Sequence, residues 1–421
     1  MDEIKTYKQK VEKNPDDAEA HYNLGVTYNK LKMYKKSIES FKQVIRIDPY
    51  CAGAHNNIGT AYRKLGKYKE AIESYKQAIR LDPDLALAHD SLCLAYFESG
   101  KYKESIESSK QAIRIDPDYR DAHYNLGVTY SKLGKYKEAI KSYKRAIRID
   151  PDYRDAHYNL GHTYYKLGKY KEAIESYKQA IRLDPDFVLA HHNLGAAYSE
   201  LGKKEEAIES YKHAIRLDPD YAMAHCNLGL NYNKLGKYKE SIESYKHAIR
   251  LDPDYATAHR GLGRAYSDSG KCNEAIESYK HAIRIDPDDA EAYNGLGHAY
   301  FGLFKYVESI KSLKHAIRLD PDYAMAHYNL GLNYQFLENV GLALEQYKIL
   351  KKLDTEMANK LLDAYTTVEK CYHFTDELEP EEDLEDEELR KPKTITLRSS
   401  YPTLSVSQVH SMPNVSIRGK D

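Results

Sequence analysis

Apolar and small residues recur along this chain at the three-and-four spacing of an amphipathic helix, in blocks of about fourteen residues. Residues 120–153, RDAHYNLGVTYSKLGKYKEAIKSYKRAIRIDPDY, contain two such blocks. The first block predicts a helix that ends at Gly134, a residue suited to the left-handed conformation after a helix C-terminus. The second predicts a helix from about Lys137 to Ile149, because Pro151 disfavours helix in the residue before it. The segment is therefore predicted to form a helix hairpin.

This segment recurs along the chain with a period of 34 residues. Each period is marked by a proline, and the ten are Pro15, Pro49, Pro83, Pro117, Pro151, Pro185, Pro219, Pro253, Pro287 and Pro321. Units that begin three residues after each proline run from Ala18 through Met357, which makes ten units. One hairpin cannot bury its apolar face alone, so neighbouring units are expected to stack on a shared core.

Several positions of the unit hardly vary. Position 8 is Gly except at Cys93, position 11 is always Tyr, and position 24 is Tyr in seven units, with Phe41, Ser109 and Leu313 as exceptions. Small residues at positions 8, 20 and 27 would allow two helices to approach closely, and the tyrosines would fill the remaining volume. These columns are predicted to serve packing.

The pattern resembles the tetratricopeptide repeat, a helix hairpin of 34 residues. It departs from that family at position 4, where a large aromatic residue is replaced by His in nine units and by Tyr293 in one. The resemblance implies an all-α fold, an α-solenoid in which ten hairpins (residues 18–357) form a right-handed superhelix. We expect an N-terminal capping helix in residues 1–17 and a C-terminal solvating helix in residues 358–374. Residues 375–421, acidic and then rich in Ser, Thr and Pro, are expected to be disordered.

Composition narrows the possible functions. The chain has 40 Tyr, 7 Phe and no Trp, as expected if one aromatic position has been copied many times. Lys plus Arg (63) nearly equals Asp plus Glu (64), which argues against non-specific nucleic-acid binding. No apolar stretch is long enough to insert into a membrane, and the N-terminus lacks the pattern of a secretory signal, so a cytoplasmic location is expected. The five cysteines are far apart and predict neither disulfides nor a zinc site.

The sequence offers no chemistry of catalysis. None of the common nucleophile, metalloprotease, Walker or dinucleotide motifs is present, so we predict that the chain is not an enzyme and requires no cofactor or metal. The nine position-4 histidines would lie on the order of 10 Å apart, the spacing of packed helices, and cannot share one ion. A second set is expected to face solvent on the outer side: His213, His247, His281 and His315.

A candidate binding surface emerges from the first helices, which line the concave face in the family that the chain resembles. Position 6 is Asn in seven units: Asn23, Asn57, Asn125, Asn159, Asn193, Asn227 and Asn329. An amide can both donate to and accept from the backbone of an extended peptide. The column resembles the asparagine ladder in the repeat region of O-linked N-acetylglucosamine transferases. The alternative is that these amides only satisfy neighbouring backbone groups.

Aromatic and basic columns flank the asparagines. Tyr124 and Tyr158 stand at position 5, and position 13 contributes Lys30, Lys64, Lys132, Lys166 and Lys234. Tyrosine supplies contact area at low entropic cost, and lysine favours acidic side chains. The expected ligand is therefore a protein or peptide segment that carries Asp or Glu. Arg260 and Arg264, one helical turn apart, offer a separate local anion site.

The leading hypothesis is a non-enzymatic interaction scaffold that binds an extended segment of a partner protein in its groove. One alternative is an accessory subunit for a glycosyltransferase or another separate catalytic chain, and a second is a structural spacer or self-assembling oligomer. The acidic tail could also bind the lysine column of its own chain, where tethering would raise its effective concentration. The sequence does not specify the oligomeric state.

Overall fold

A computed structural model describes residues 2–369 of the chain, all of which belong to helices or to the short connections between them. These residues form 22 helices and, within that range, no strand. The predicted all-α solenoid of helix hairpins is confirmed for this part of the chain. The tail, residues 375–421, and the end of the predicted solvating helix beyond residue 369 lie outside the described residues.

The chain divides into two compact halves, Met1–Lys203 and Lys204–Asp421. The helices of the first half are α1 Asp2–Lys13, α2 Ala18–Lys30, α3 Tyr34–Ile47, α4 Ala52–Lys64, α5 Tyr68–Leu81, α6 Ala86–Glu98, α7 Tyr102–Ile115, α8 Arg120–Lys132, α9 Tyr136–Ile149, α10 Arg154–Lys166, α11 Tyr170–Leu183 and α12 Val188–Glu200. Those of the second are α13 Lys204–Leu217, α14 Ala222–Lys234, α15 Tyr238–Leu251, α16 Ala256–Asp268, α17 Cys272–Ile285, α18 Ala290–Phe301, α19 Tyr306–Leu319, α20 Ala324–Phe336, α21 Val340–Leu353 and α22 Thr355–Glu369.

Each hairpin turns where its sequence requires it to. After α8, Gly134 adopts φ +70°, and the next amide, of Lys135, donates to the carbonyl of Tyr130 at 2.9 Å. A left-handed residue with this pairing satisfies the last free carbonyls of the helix. Helix α9 ends at Ile149, two residues before Pro151, as the sequence predicts.

The close approach of paired helices depends on the glycine at position 8. A methyl group added at Gly127 would lie 2.7 Å from the ring of Tyr143, which is itself 1% exposed. The glycine of one helix therefore accommodates the tyrosine of the other, and Ala139 and Tyr143 belong to a continuous apolar cluster that extends to Leu194. This packing confirms the role predicted for the columns that hardly vary.

The third hairpin solves the same packing problem with a different pair. Cys93 replaces the glycine, and Ser109 replaces the tyrosine that would collide with it. The Ser109 hydroxyl donates to Sγ of Cys93 at 2.9 Å, and Ser105 lies 3.2 Å from the same sulfur. Two exceptions in separate columns are therefore one coupled exchange.

Within each half, successive first helices contact one another as well as their own hairpin partners: α2, α4, α6, α8, α10 and α12 in the first half, and α14, α16, α18 and α20 in the second. The first helices therefore lie on the inner side of each half, and we call their solvent-facing side the inner surface. At the ends, α1 packs on α2, and α22 packs on α20 and α21. Over residues 2–369, no helix combines the length and apolarity that crossing a bilayer demands.

Candidate functional site

The asparagines of position 6 lie on the inner surface. Six of them are half-buried, and only Asn329, beneath the terminal helices, is buried, with 8% of its surface exposed. Their place on successive first helices follows from the 34-residue period, because equivalent residues of stacked hairpins occupy equivalent positions. Six of the seven amides are thus partly open to solvent.

Most of these amides are also tied to the preceding hairpin. In five cases Nδ2 donates to the side chain at position 5 of the unit before: Asn57 to Tyr22 Oη at 2.9 Å, Asn125 to Asp90 Oδ1 at 2.9 Å, Asn159 to Tyr124 Oη at 2.8 Å, Asn193 to Tyr158 Oη at 2.9 Å, and Asn329 to Asn294 Oδ1 at 2.9 Å. Every pair is 35 residues apart in sequence. The asparagine column, which we predicted to bind a ligand, therefore also joins one hairpin to the next through hydrogen bonds between side chains.

The hydrogen bonds leave the amides chemically useful. An amide nitrogen carries two hydrogens and its oxygen has two lone pairs, so one bond to a neighbour orients the group without exhausting it. Tyr124 accepts from Asn159 and retains its own hydroxyl proton, since burial raises the pKa of Tyr124 to about 12. Oriented amides with protonated tyrosines can both donate and accept along an extended backbone.

Tyr124 and Tyr158 are held in place by other rings. The ring centroid of Tyr124 lies 4.9 Å from that of Tyr153, and the centroid of Tyr158 lies 4.8 Å from that of Phe187. Each also packs near the position-24 tyrosine of its own hairpin, at 5.9 and 5.8 Å. These contacts fix both rings, which remain half-buried.

The two glycines that interrupt the asparagine column have a steric cause. A methyl group at Gly261 would lie 2.4 Å from the ring of Tyr245, and one at Gly295 would lie 2.4 Å from the ring of Tyr279. In these units the preceding position 5 is Cys226 or Arg260 and not Tyr. A side chain at position 6 of these two units would therefore collide with the position-24 tyrosine of the unit before.

The lysines of position 13 are exposed in all five units where they occur. Their exposure and their place at the ends of first helices give the inner surface five basic points along a border that carries Glu98, Glu200 and Asp268 at the same position in other units. The separate arginine site is already compensated, because Arg260 lies 2.9 Å from both Asp289 and Glu291, and Arg264 lies 3.7 Å from Asp268. The lysine column is thus the better candidate for contact with an acidic segment.

Asp90 introduces a carboxyl at position 5, where the other units carry Tyr, Asn, His192, Cys226 or Arg260. It is 5% exposed, and burial raises its pKa to about 6 in spite of the hydrogen bond from Asn125. The inner surface of the first half of the chain therefore changes charge at Asp90 as the pH passes through the mildly acidic range.

The histidines of position 4 form links between hairpins that the sequence did not reveal. In eight units Nε2 lies 2.9–3.2 Å from the carbonyl oxygen of the proline six residues earlier, as in His157 with Pro151 at 2.9 Å. A carbonyl can only accept, so Nε2 carries the proton and donates. This ties the start of each first helix to the loop before it, in agreement with a structural role.

The second set of histidines is not simply solvated as expected. The rings of His247 and His225 stack at 4.2 Å, and those of His315 and Tyr293 stack at 4.0 Å. His247 and His315 are half-buried, so the prediction was wrong for these two. Helical periodicity predicted the helix face on which these histidines lie. It did not predict the rings of His225 and Tyr293 that they stack on. In residues 2–369, groups of three or more His, Cys, Asp or Glu suited to a metal ion are not found.

These features define a class of protein, an array of helix hairpins that presents an ordered inner surface. Family models described as "Tetratricopeptide repeat" match residues 18–51 and 52–85, and one described as "TPR repeat" matches residues 93–134. The predicted repeats are thereby confirmed. A model described as "Cilia and flagella-associated protein 70 C-terminal domain" matches residues 119–330, half of the chain. The chain therefore belongs to this family of tetratricopeptide-repeat domains.

Solved structures with a similar fold include other repeat proteins. YrrB, described as "a TPR protein with an unusual peptide-binding site", is 24% identical, with 44% of this chain and 96% of YrrB covered at a TM-score of 0.41. MamA is 31% identical, with 39% and 97% covered at a TM-score of 0.37. The APC/C hetero-tetramer Cut9-Hcn1 is 18% identical, with 83% and 76% covered at a TM-score of 0.49. No curated protein sequence matches the chain.

Proposed function

We propose that the chain is a non-enzymatic interaction scaffold whose inner surface binds an extended segment of a partner protein. The observation that supports this most directly is the row of six half-exposed amides, four of which are oriented by a hydrogen bond to the hairpin before them. A preoriented donor and acceptor loses less ordering entropy when a peptide backbone arrives. A groove that binds the peptide backbone can accept many sequences. Neighbouring columns of side chains then determine which peptide sequences bind best.

The preference that we propose is for segments containing Asp or Glu. The five lysines at position 13 are exposed, and they repeat with the amides. A peptide that follows the amide row would pass the ends of several lysine side chains in succession. Because these contacts are solvent-exposed, each contributes on the order of 1 kcal/mol or less, and selectivity comes from their number.

The test compares two charge reversals on the same hairpins. Peptides are selected from a random library on the intact chain, and the best binder is measured by fluorescence anisotropy. Lys132→Glu with Lys166→Glu should weaken binding about tenfold or more, as expected for the loss and reversal of two ion pairs. The control, Lys137→Glu with Lys171→Glu, makes the same charge change at exposed positions of the second helices. Equal loss in both double variants would reject the inner surface as the binding site.

The accessory-subunit alternative rests on the asparagine column alone. Those amides serve hairpin-to-hairpin bonding in five units, which is sufficient to account for the column without a catalytic partner. Repeats of this family are generally non-catalytic interaction modules. Co-purification of the tagged chain with a catalytic subunit from its native host would favour the alternative over a peptide scaffold.

A further inference from the structure

Four large apolar side chains are exposed together at the turns of the last two hairpins. Phe304 is 75% exposed, Val307 59%, Phe336 47% and Leu337 40%. Ring centroids connect this group: Phe301 lies 5.1 Å from Phe336, Phe304 lies 6.4 Å from Tyr306, and Tyr306 stacks on Phe336 at 6.3 Å. We call these residues (Phe301, Phe304, Tyr306, Val307, Phe336 and Leu337) the turn patch.

The repeat itself provides the reference against which this patch is unusual. Phe304 occupies the position that is Gly in seven units, Val307 a position that is Lys in six, and Phe336 the position of the lysine column. Each substitution replaces a turn-forming or solvated residue with an apolar one. Packing does not require them, because the other hairpins form the same turn without them.

Phe304 also has an unfavourable backbone conformation. Its φ is +59°, in the left-handed region that the other hairpins mostly assign to glycine. A bulky residue is strained there, because its Cβ crowds the following carbonyl oxygen. An exposed aromatic ring held in a strained turn is a feature that folding alone does not explain, and contiguous exposed apolar surface is typical of docking sites.

The terminal helix brings the rest of the chain to this edge. Met357 and Ala358, near the start of α22, pack with Ala324 at the start of α20. Leu361 follows, and its carbonyl accepts from Gln335 Nε2 at 2.9 Å, next to Phe336. Helix α22 therefore runs in the same direction as α20. Its last residue, Glu369, lies roughly 12 Å beyond Leu361 at about 1.5 Å per residue, on the side where the turn patch lies.

The chain beyond Glu369 contains a segment of matching character. Residues 395–406, ITLRSSYPTLSV, carry Ile395, Leu397, Tyr401, Leu404 and Val406, so that apolar and polar residues alternate in a short stretch on each side of the tyrosine. Residues 390–398 include four basic residues, and exposed Glu308 and Glu338 border the turn patch. About 25 residues separate Glu369 from Ile395, and a flexible chain of that length would span roughly 25–30 Å, which is sufficient to reach the turns.

We propose that the turn patch is the docking site for residues 395–406 of the same chain. The apolar side chains of the segment cover Phe304, Val307 and Phe336. Arg398, with Arg390, Lys391 and Lys393 just before the segment, faces the two glutamates. The tether makes the contact intramolecular, so a modest affinity keeps the site occupied. A partner that binds the segment would then expose the turn patch, separately from anything bound on the inner surface.

The first experiment identifies the occupant in the full-length chain. The photo-crosslinker p-benzoylphenylalanine replaces Phe304, or Tyr50 as a control that is 81% exposed. Equal amounts of ¹⁵N-labelled and unlabelled chain are mixed before irradiation. The proposal expects crosslinks from position 304 to residues 395–406 that carry a single isotope, and none to that segment from position 50. Mixed-isotope crosslinks would make a second copy the occupant, and crosslinks absent from 395–406 would leave the segment elsewhere; either result overturns the proposal.

The second experiment measures the contact with substitutions that the fold already tolerates. Phe304→Gly with Val307→Lys restores the residues of the other hairpins, so it should preserve or improve folding. Amide exchange in residues 395–406 should be at least about fivefold faster in this variant than in the unaltered full-length chain. Tyr50→Asp, also a return to the residue of the other units, is the matched control and should leave exchange unchanged. The same exchange rate in all three chains would overturn the proposal.

Discussion

Asp90 is the residue at which the inner surface carries an identifiable energetic penalty. Its pKa is raised by burial from 3.8 to about 6, so the folded chain binds this proton more tightly than the unfolded chain does. Stability therefore falls as the pH rises from about 4 to about 6, and above that range the penalty is constant. Asn56 and Asn294 occupy the same position in other units, and Asn294 accepts the same bond from the next asparagine.

Asp90→Asn should accordingly stabilise the chain at pH 7.5 by about 1–3 kcal/mol, because a pKa raised by burial from 3.8 to about 6 corresponds to a penalty of at most about 3 kcal/mol. The gain should disappear below about pH 4, where the carboxyl is protonated in both states. Urea unfolding followed by circular dichroism at pH 7.5 and pH 4 measures both values. Asp118→Asn, on an exposed carboxyl, is the control. A gain that is independent of pH would contradict the stated cause.

Cys93 and Ser109 predict a second effect, which is non-additive. Ser109→Tyr alone should destabilise the chain by about 1–3 kcal/mol, because the new ring meets the sulfur of Cys93. With Cys93→Gly added, the hairpin regains the pair of its neighbours, and stability should return to at least that of the unaltered chain. A double-mutant cycle from thermal unfolding gives the coupling energy, and additive effects would refute the exchange.

At this scale the sequence identified positions but not partners. The period located Asn125 and Asn159 on one face, and six of the seven asparagines do lie partly open there. It did not show that five of the amides reach the position-5 residue of the unit before, since a column alignment compares a residue with its copies and not with the neighbours of those copies. The signal was present in Gly261 and Gly295, which follow the units that have Cys226 and Arg260 at position 5. Whether the amides contact a ligand stays a prediction.

At the scale of the helix, the link from histidine to proline connects one hairpin to the next. His123 donates to the carbonyl of Pro117 at 3.0 Å, and burial lowers the pKa of His123. His123→Phe keeps a ring in place but removes the donor, so it should cost about 1 kcal/mol of stability. Calorimetric unfolding measures the change. His281→Phe, which alters an exposed second-set ring, should cost less.

The same histidines predict how the array responds to acid. Burial lowers the pKa values of His55, His123 and His225 in the folded chain. The unfolded chain then binds protons first, so stability is lost as the pH falls below about 6.5. The sign is opposite to that for Asp90, so the test uses a chain with Asp90→Asn. The stability of this chain should fall from pH 7.5 to 5, and it should fall less when His55, His123 and His225 are also changed to Phe.

Helix boundaries were the most predictable feature. Gly134 and Pro151 set the limits of α8 and α9 to within one or two residues, because each imposes a backbone conformation without help from the rest of the fold. The stacking of His247 on His225 was not predictable, because helical periodicity gives a face and not the ring opposite.

At the scale of the molecule, the array requires a cover at its C-terminal end. Met357 and Leu361 of α22 are 3% and 1% exposed, and they shield Leu350, which is fully buried. A chain that ends after Asp354 loses the burial of both, worth about 3–6 kcal/mol. Amide exchange in residues 324–353 should become much faster, while a chain that ends after Glu369 should match the full length there. Unchanged protection after both truncations would show that α22 is dispensable.

The near identity of the hairpins raises the question of how each finds the correct neighbour during folding. A hairpin that skipped one unit could meet an almost equivalent surface, leaving a looped-out copy between them. The local pairings oppose this: the ring of Tyr245 leaves room only for a glycine such as Gly261 in the next unit, and an asparagine such as Asn159 is matched only behind a unit with a suitable acceptor. The departures from the repeat therefore make each hairpin fit its own neighbour better than the others. They preserve the order of an array whose uniformity would otherwise permit misassembly.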